Sequence, residues 1–428
     1  MKEKSNVHIK GLPKRSLYDE KLEMKITNLP PNERVRLELS SDSKRYGDSY
    51  VVYKSDGQGK VDLTEDRPRE GDYKGVKPMG LFLYRSEVNP DVEDNPDSEK
   101  FLFSVKIHEE IVAQKRFERV IRTDDVERIE IEREDLEGVL FEPKGPGPHP
   151  AVVRLSGSEG KCPTGKITKL LASKGYAVLA LAIYGENGLP DELMDVPVEY
   201  FEDAVEWLSS RDSIQEEPIA VIGSSKGGEL ALLLGSKIEK LKTVITYVPS
   251  GVVFQGIQES FKKPSSSWSH GGEPLPFVDL SFLESMVQFF RLFILRKPIV
   301  WRKSYTKGLK SSDEENLKKA TIPVEDIDGP ILFISGGDDK MWDSRKLSEI
   351  SVKRLKESGY DYKYKHLNFE DAGHAISCPY VPVKGREIAD SGNMKMSLGG
   401  GPDAYRKSDR SSWDEVLKFL EERLNLTS

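Results

Sequence analysis

In the first quarter of the chain, apolar residues fall on alternate positions. Leu22, Met24 and Ile26 are separated by charged residues, as are Val35, Leu37 and Leu39, and Phe101, Phe103, Val105 and Ile107 repeat the spacing. A period of two puts every apolar side chain on one face of an extended strand. "YVVYKSDGQGKVDL" predicts a hairpin around Asp56-Gly57, where a two-residue Asp-Gly turn matches the strand twist. "MGLFLY" predicts a further strand. Short strands without a helical stretch predict an immunoglobulin-like β-sandwich over residues 1–122.

After "RFERVIRTDDVERIEI" the pattern changes. "PAVVRLSG", "YAVLALAIYG", "PIAVIGSS", "LKTVITYV" and "GPILFISGG" are continuous apolar runs, and "YKYKHLNF" follows as a last strand. "KITKLLASKG", "VEYFEDAVEWLSS" and "SSWDEVLKFLEERL" have helical spacing, the last with Ser411 or Ser412 as its cap. Apolar strands alternating with helices predict a mostly parallel sheet covered on both faces, an α/β architecture for residues 123–428. Residues 252–320 interrupt this rhythm with a loop, "KKPSSSWSHGGEPLP", and an apolar and basic stretch. An insertion between sheet strands is expected over the strand ends, as a lid.

A length of 428 residues fits the two domains that the pattern predicts. The net charge of −8 argues against a nucleic-acid partner. Cys162 and Cys378 form no C-x-x-C pair, which suits a reducing compartment and excludes a disulfide framework. The N-terminal stretch has no apolar signal region, and "MVQFFRLFIL" is short and broken by Arg291, so a cytoplasmic protein without an integral membrane segment is expected.

The chemistry concentrates at Gly223-Ser224-Ser225-Lys226-Gly227. It fits G-x-S-x-G between a predicted strand and a predicted helix, the setting of a nucleophile elbow. A plain strand-turn-helix junction would also tolerate it, so the partners decide. A serine hydroxyl needs a base, and the base an orienting carboxylate. "GGDDKMW" supplies Asp339, three positions after Gly336, with Asp338 as the second choice. "EDAGHAISCPY" supplies His374 in a loop after the last strand. Of the six histidines, His270 in the insertion is the rival base. The order Ser225, Asp339, His374 is that of an α/β hydrolase. The oxyanion of an acyl-transfer intermediate needs backbone donors. The N–H of Lys226 is one candidate, and Ser158 in "RLSGSEG", beside Gly157, is the other.

"IGSSKGGELALLLGSK", "GGDDKMW", "GHAISCPYVP", "PMGLF" and "SLGGGPDAYRKSDRSSWDEVLKFL" together resemble the acyl-CoA thioesterases grouped with bile acid-CoA:amino acid N-acyltransferase, over nearly the whole chain. The resemblance implies a Ser-Asp-His triad at Ser225, Asp339 and His374 that acts on acyl-CoA thioesters without a metal or redox cofactor. It also implies hydrolysis rather than transfer, because the transferase branch carries a cysteine at the position of Ser225. Ser377-Cys378 after His374 and the basic insertion depart from the animal members. A carboxylesterase, a dienelactone-type hydrolase, an N-acyltransferase or a non-catalytic binding protein stand as alternatives. Arg291 to Lys310 holds seven basic residues and no acidic one. Arg302 and Lys303 are candidates for the phosphates of coenzyme A. A solvated cover helix is the plainer reading, and a membrane-surface role a third.

Overall fold

The computed structural model describes residues 7–89, 92, 96–186, 189–257, 263–391 and 394–424. It separates into two compact units, Met1–Thr123 with Cys378–Gly385, and Asp124–Ser377 with Arg386–Ser428.

The first unit is β-rich. Its strands are β1 (His8–Lys10), β2 (Arg15–Leu17), β3 (Lys25–Thr27), β4 (Arg34–Ser41), β5 (Ser49–Lys54), β6 (Val61–Asp62), β7 (Glu70–Gly71), β8 (Ser98–Ile107) and β9 (Glu110–Val120). They form a six-stranded sheet in the order β2-β9-β8-β4-β5-β7 and a three-stranded sheet β1-β3-β6. The alternation is realised: Val35, Leu37 and Leu39 on β4 and Phe103 and Val105 on β8 are fully buried.

Two local expectations are corrected here. Asp56 and Gly59 do form a turn, with the Gly59 N–H donating to the Asp56 carbonyl at 3.1 Å. The strands on either side do not pair, however: β5 joins β4 and β6 joins β3, so the turn carries the chain from one sheet to the other. "MGLFLY" is a short helix, α1 (Gly80–Leu83), with all four residues buried. A short apolar run buried on all sides cannot be told from a strand by periodicity. Gly80 lets the helix sit on Tyr73, whose ring would be 2.4 Å from an added Cβ.

The returning segment 378–385 completes this unit. The Val383 N–H donates to the Leu83 carbonyl at 2.8 Å, and Lys384 Nζ pairs with Asp72 Oδ1 at 2.8 Å.

The second unit holds β10 (Val126–Glu130), β11 (Gly138–Pro143), β12 (His149–Leu155), α2 (Lys166–Ala172), β13 (Ala177–Leu181), β14 (Val196–Pro197), α3 (Val198–Ser209), β15 (Ile214–Ser224), α4 (Lys226–Gly235) and β16 (Leu241–Tyr247). Then come β17 (Trp268–His270), β18 (Glu273–Pro274), α5 (Phe282–Phe293), α6 (Arg302–Ser311), α7 (Glu314–Ala320), β19 (Ile331–Gly336), α8 (Ser344–Ser358), β20 (Tyr364–Phe369), β21 (Ile388–Ser391), β22 (Met394–Ser397) and α9 (Pro402–Leu424). Eight strands form one sheet in the order β10-β11-β13-β12-β15-β16-β19-β20. The pairs β10·β11 and β11·β13 are antiparallel and the rest parallel. This is the mostly parallel sheet of an α/β hydrolase. Every residue of β13 and β19 is buried, so both faces of these strands are covered, as their unbroken apolar sequence requires.

The last helix begins nine residues before the expected cap. It starts at Pro402, and Ser412 lies buried inside it with its hydroxyl on the Asp409 carbonyl at 3.3 Å. Proline at a first helical position keeps its missing N–H where no partner would exist.

Candidate active site

β15 runs straight into α4 through Ser225, which adopts φ 54° and ψ −120°. This is a conformation that non-glycine residues avoid. The glycines around it are fixed by contact. A Cβ on Gly223 would lie 1.8 Å from the Gly227 carbonyl oxygen, and one on Gly227 would lie 1.8 Å from that of Ser156. The tight elbow therefore lifts one side chain, that of Ser225, out of the strand end.

His374 meets it. Its Nε2 lies 2.8 Å from Ser225 Oγ, and its Nδ1 lies 2.8 Å from Asp339 Oδ2. Asp339 is fully buried, and its other oxygen accepts the N–H groups of Met341 at 2.9 Å and Trp342 at 3.3 Å. These bonds fix the carboxylate plane. Trp342 packs edge-on to the imidazole, with centroids 5.9 Å apart, and its indole N–H is held by the Val248 carbonyl. The His374 N–H donates to the Leu398 carbonyl at 2.8 Å. Ring, carboxylate and hydroxyl are thus each restrained by packing or backbone.

Asp338 points elsewhere. It accepts the Gly400 N–H at 2.9 Å and pairs with Lys340. Partial burial opposes its charge, but these two partners outweigh that and hold its carboxyl below the ordinary value. His270 lies on β17, 4.0 Å from Glu199, and makes no part of this chain of bonds.

The oxyanion candidates divide. The Lys226 N–H is the first in α4, where no intrahelical acceptor exists. The Lys226 ammonium turns away into a buried network: it binds Glu229 Oε1 at 3.0 Å and Ser267 Oγ at 2.7 Å, and Glu229 also accepts the Trp268 indole N–H at 2.9 Å. Burial pulls the Lys226 ammonium below its ordinary value and pushes the Glu229 carboxyl above its own, and their contact opposes both shifts. Ser158 lies exposed on the turn beside Gly157. Gly157 is close to the elbow, since a Cβ there would stand 3.2 Å from Ser225 Cβ, but its N–H is taken by Glu159 Oε2 at 3.0 Å.

Arg302 departs from its expected role. Its Nη1 donates to the carbonyls of Gly337 at 3.1 Å and Asp339 at 3.0 Å, and its Nη2 binds Asp343 Oδ2 at 2.6 Å. The guanidinium binds the loop that carries Asp339 at three points and so braces that loop. Lys303 is exposed.

Three supports escaped the sequence reading. Arg154 lies buried beneath the elbow, with Nη2 on Ser224 Oγ at 3.0 Å and Nη1 on the Ile222 carbonyl at 3.1 Å. Glu229 is the second, and its spacing of three from Lys226 on a helix was a legible signal. The third is Asp409, buried on α9, which accepts the Ser377 N–H at 2.9 Å and Arg386 Nη1 at 2.7 Å, holding the loop after His374. Burial pushes its carboxyl up to about 6, against the pull of Arg386. Among the described residues, no three His, Cys, Asp or Glu side chains gather as a metal set.

Comparison with known proteins places the chain. Residues 196–426 match the family model described as BAAT / acyl-CoA thioester hydrolase C terminal, and residues 19–133 match the acyl-CoA thioester hydrolase/BAAT N-terminal region. The mouse (Mus musculus) acyl-coenzyme A amino acid N-acyltransferase 1 is 30% identical, with 96% of each chain covered. The mouse acyl-coenzyme A thioesterase 1 is 28% identical over 96% of this chain and 95% of its own. Among solved structures, the acylaminoacyl peptidase of Pyrococcus horikoshii superposes with a TM-score of 0.44 at 13% identity, covering 96% of this chain and 68% of that one. With both family regions matched in order and full-length relatives at this identity, the chain belongs to the acyl-CoA thioester hydrolase and bile acid-CoA:amino acid N-acyltransferase family.

Proposed function

We propose that this chain hydrolyses acyl-CoA thioesters to a free acid and coenzyme A. The observation that carries the reading is the hydrogen-bonded series Ser225 Oγ, His374, Asp339 at a strained strand-helix elbow. With Asp339 accepting from Nδ1–H, Nε2 is left unprotonated and faces the serine hydroxyl. As Ser225 Oγ attacks the thioester carbonyl, its proton passes to Nε2. The carbonyl oxygen becomes an oxyanion, met by the N–H of Lys226 and that of Ser158. The C–S bond breaks, and the departing sulfur takes the proton from Nε2. A water then attacks the acyl-serine ester, gives its proton to Nε2, and releases the acid as the proton returns to Ser225.

Ser225 favours water as acceptor, because the acyl-enzyme is an oxygen ester, less prone to attack by amines than a thioester. Lys303 is the remaining candidate of the expected pair for the phosphates. Two free cysteines fit work in a reducing compartment such as the cytoplasm.

The test is thiol release from a panel of acyl-CoA esters, set against nitrophenyl esters and repeated with added glycine or taurine. Ser225→Ala should lose at least about 10³-fold in kcat while folded, and Ser224→Ala far less. A folded Ser225→Ala with near-normal turnover rules the proposal out. Conversion of the acid product to an amide on adding the amine moves the assignment to the transferase.

A further inference from the structure

α5 is amphipathic with its faces reversed. Phe282, Leu283, Met286, Val287 and Phe290 follow the spacing of a single helix face. That face is turned outward: Phe282 is 79% exposed, Leu283 71% and Phe290 55%. The opposite face, turned inward, carries Glu284, Gln288 and Leu292. Its polar groups are satisfied there. Gln288 Nε2 donates to Glu284 Oε1 at 2.8 Å, Gln288 Oε1 accepts the Val300 N–H at 3.0 Å, and Lys307 Nζ lies 2.6 Å from Glu284 Oε2. These bonds hold the helix in this orientation. The apolar surface continues through Phe293 at the helix end and Ile294 and Leu295 beyond it, all at least 49% exposed.

Isolated exposed apolar residues are ordinary, but a contiguous patch of this kind marks an interaction surface. We propose that α5 and the turn after it form a docking face for an anionic phospholipid surface. Two features select that occupant. The first is charge. Between Glu284 and Asp313 the chain has seven lysines and arginines and no acid, while the whole chain is at −8. Arg296 and Lys297, in the turn directly after the apolar face, are both exposed. An apolar helix face flanked by cations is the composition of helices that lie in the headgroup plane and attract anionic lipid. The second feature is shape. Side chains exposed to the extent of Phe282 and Leu283 project from a ridge, which enters a lipid surface, whereas a peptide segment would call for a groove. A twofold pairing of two copies would cover the apolar residues, but it would also set two cationic turns into one interface. Among the described residues no helix is long and apolar enough to cross a membrane, so the contact is a surface one.

The experiment is cosedimentation of the full chain with vesicles of phosphatidylcholine alone and of phosphatidylcholine with about one-third phosphatidylserine. The protein is expected to pellet with the mixed vesicles and to be released as salt rises. The double variant Phe282→Asp/Phe290→Asp should lower the partition constant about tenfold or more. Both side chains are exposed, so its melting temperature should be unchanged. Arg296→Glu/Lys297→Glu should weaken binding to the mixed vesicles by a similar factor. The proposal is overturned if the protein stays in the supernatant, or if either double variant binds like the parent. It is equally overturned if the apolar face instead forms a dimer that Phe282→Asp/Phe290→Asp dissociates.

Discussion

A serine held at φ 54° stores on the order of 1–3 kcal/mol of backbone strain, which the surrounding contacts must over-determine. At Ser225 they do so through missing side chains as much as present ones. Gly223 and Gly227 leave the Ser156 and Gly227 carbonyls room to close on the elbow. Gly227→Ala would force a methyl group to within 1.8 Å of backbone that cannot swing aside. It is expected to destabilise the chain by about 3 kcal/mol or more. A drop in the urea midpoint, together with loss of soluble protein, would register it. An alanine variant with the parent's midpoint would mean that β12 and α4 can separate there without cost.

The same residues explain what could be read from the chain beforehand. Ser225, Asp339 and His374 were legible because each follows a strand of the sheet, Ser225 and Asp339 after apolar runs and His374 after the polar β20, so motif and chain order placed them at one end of the sheet. The choice between Asp338 and Asp339 lay in adjacent residues of identical chemistry. It rested on counting from Gly336, and the structure puts Asp339 on the imidazole. The bonds of Arg302 to the Asp339 loop were not legible, because a guanidinium in a basic stretch says nothing of which carbonyls will reach it. Its partners are 35 to 41 residues away in sequence.

At the level of elements, the buried apolar strands and the helices with a clear period were found where expected, and two short elements, α1 and β6, were not. The four buried residues of α1 have no polar face to betray a helix. The turn at Asp56 has the sequence of a hairpin, but β6 is two residues long and pairs with β3, where Val61 fills the core. The segment 302–311 was expected as part of a cover, and α6 is also a brace. Arg302 at its start ties the insertion to the loop after β19. Arg302→Ala should therefore lower kcat by about tenfold, equally for an acyl-CoA and an uncharged nitrophenyl ester, because it lets the Asp339 loop relax. A phosphate-binding role would instead raise KM for the acyl-CoA alone, and more so at low salt. Steady-state kinetics on both substrates separates the two outcomes.

For the whole molecule, the first unit is encoded in two places. Residues 378–385 lie four positions after His374 in the chain, yet Val383 and Lys384 are bonded to Leu83 and Asp72. Residues 124–428 alone would keep this stretch without its partners, and Cys378 and Val383, both fully buried, would face water. That fragment should give less soluble protein than the full chain and be cut first by trypsin at Lys384. Mass mapping of the first cleavage site would check this. Kinship follows from the same arrangement. A crossover at residue 123 that joined the front of one relative to the back of another would import a mismatched eight-residue plug with the wrong partner. Front and plug must then be inherited together, and divergence in one is expected to leave a matching substitution in the other.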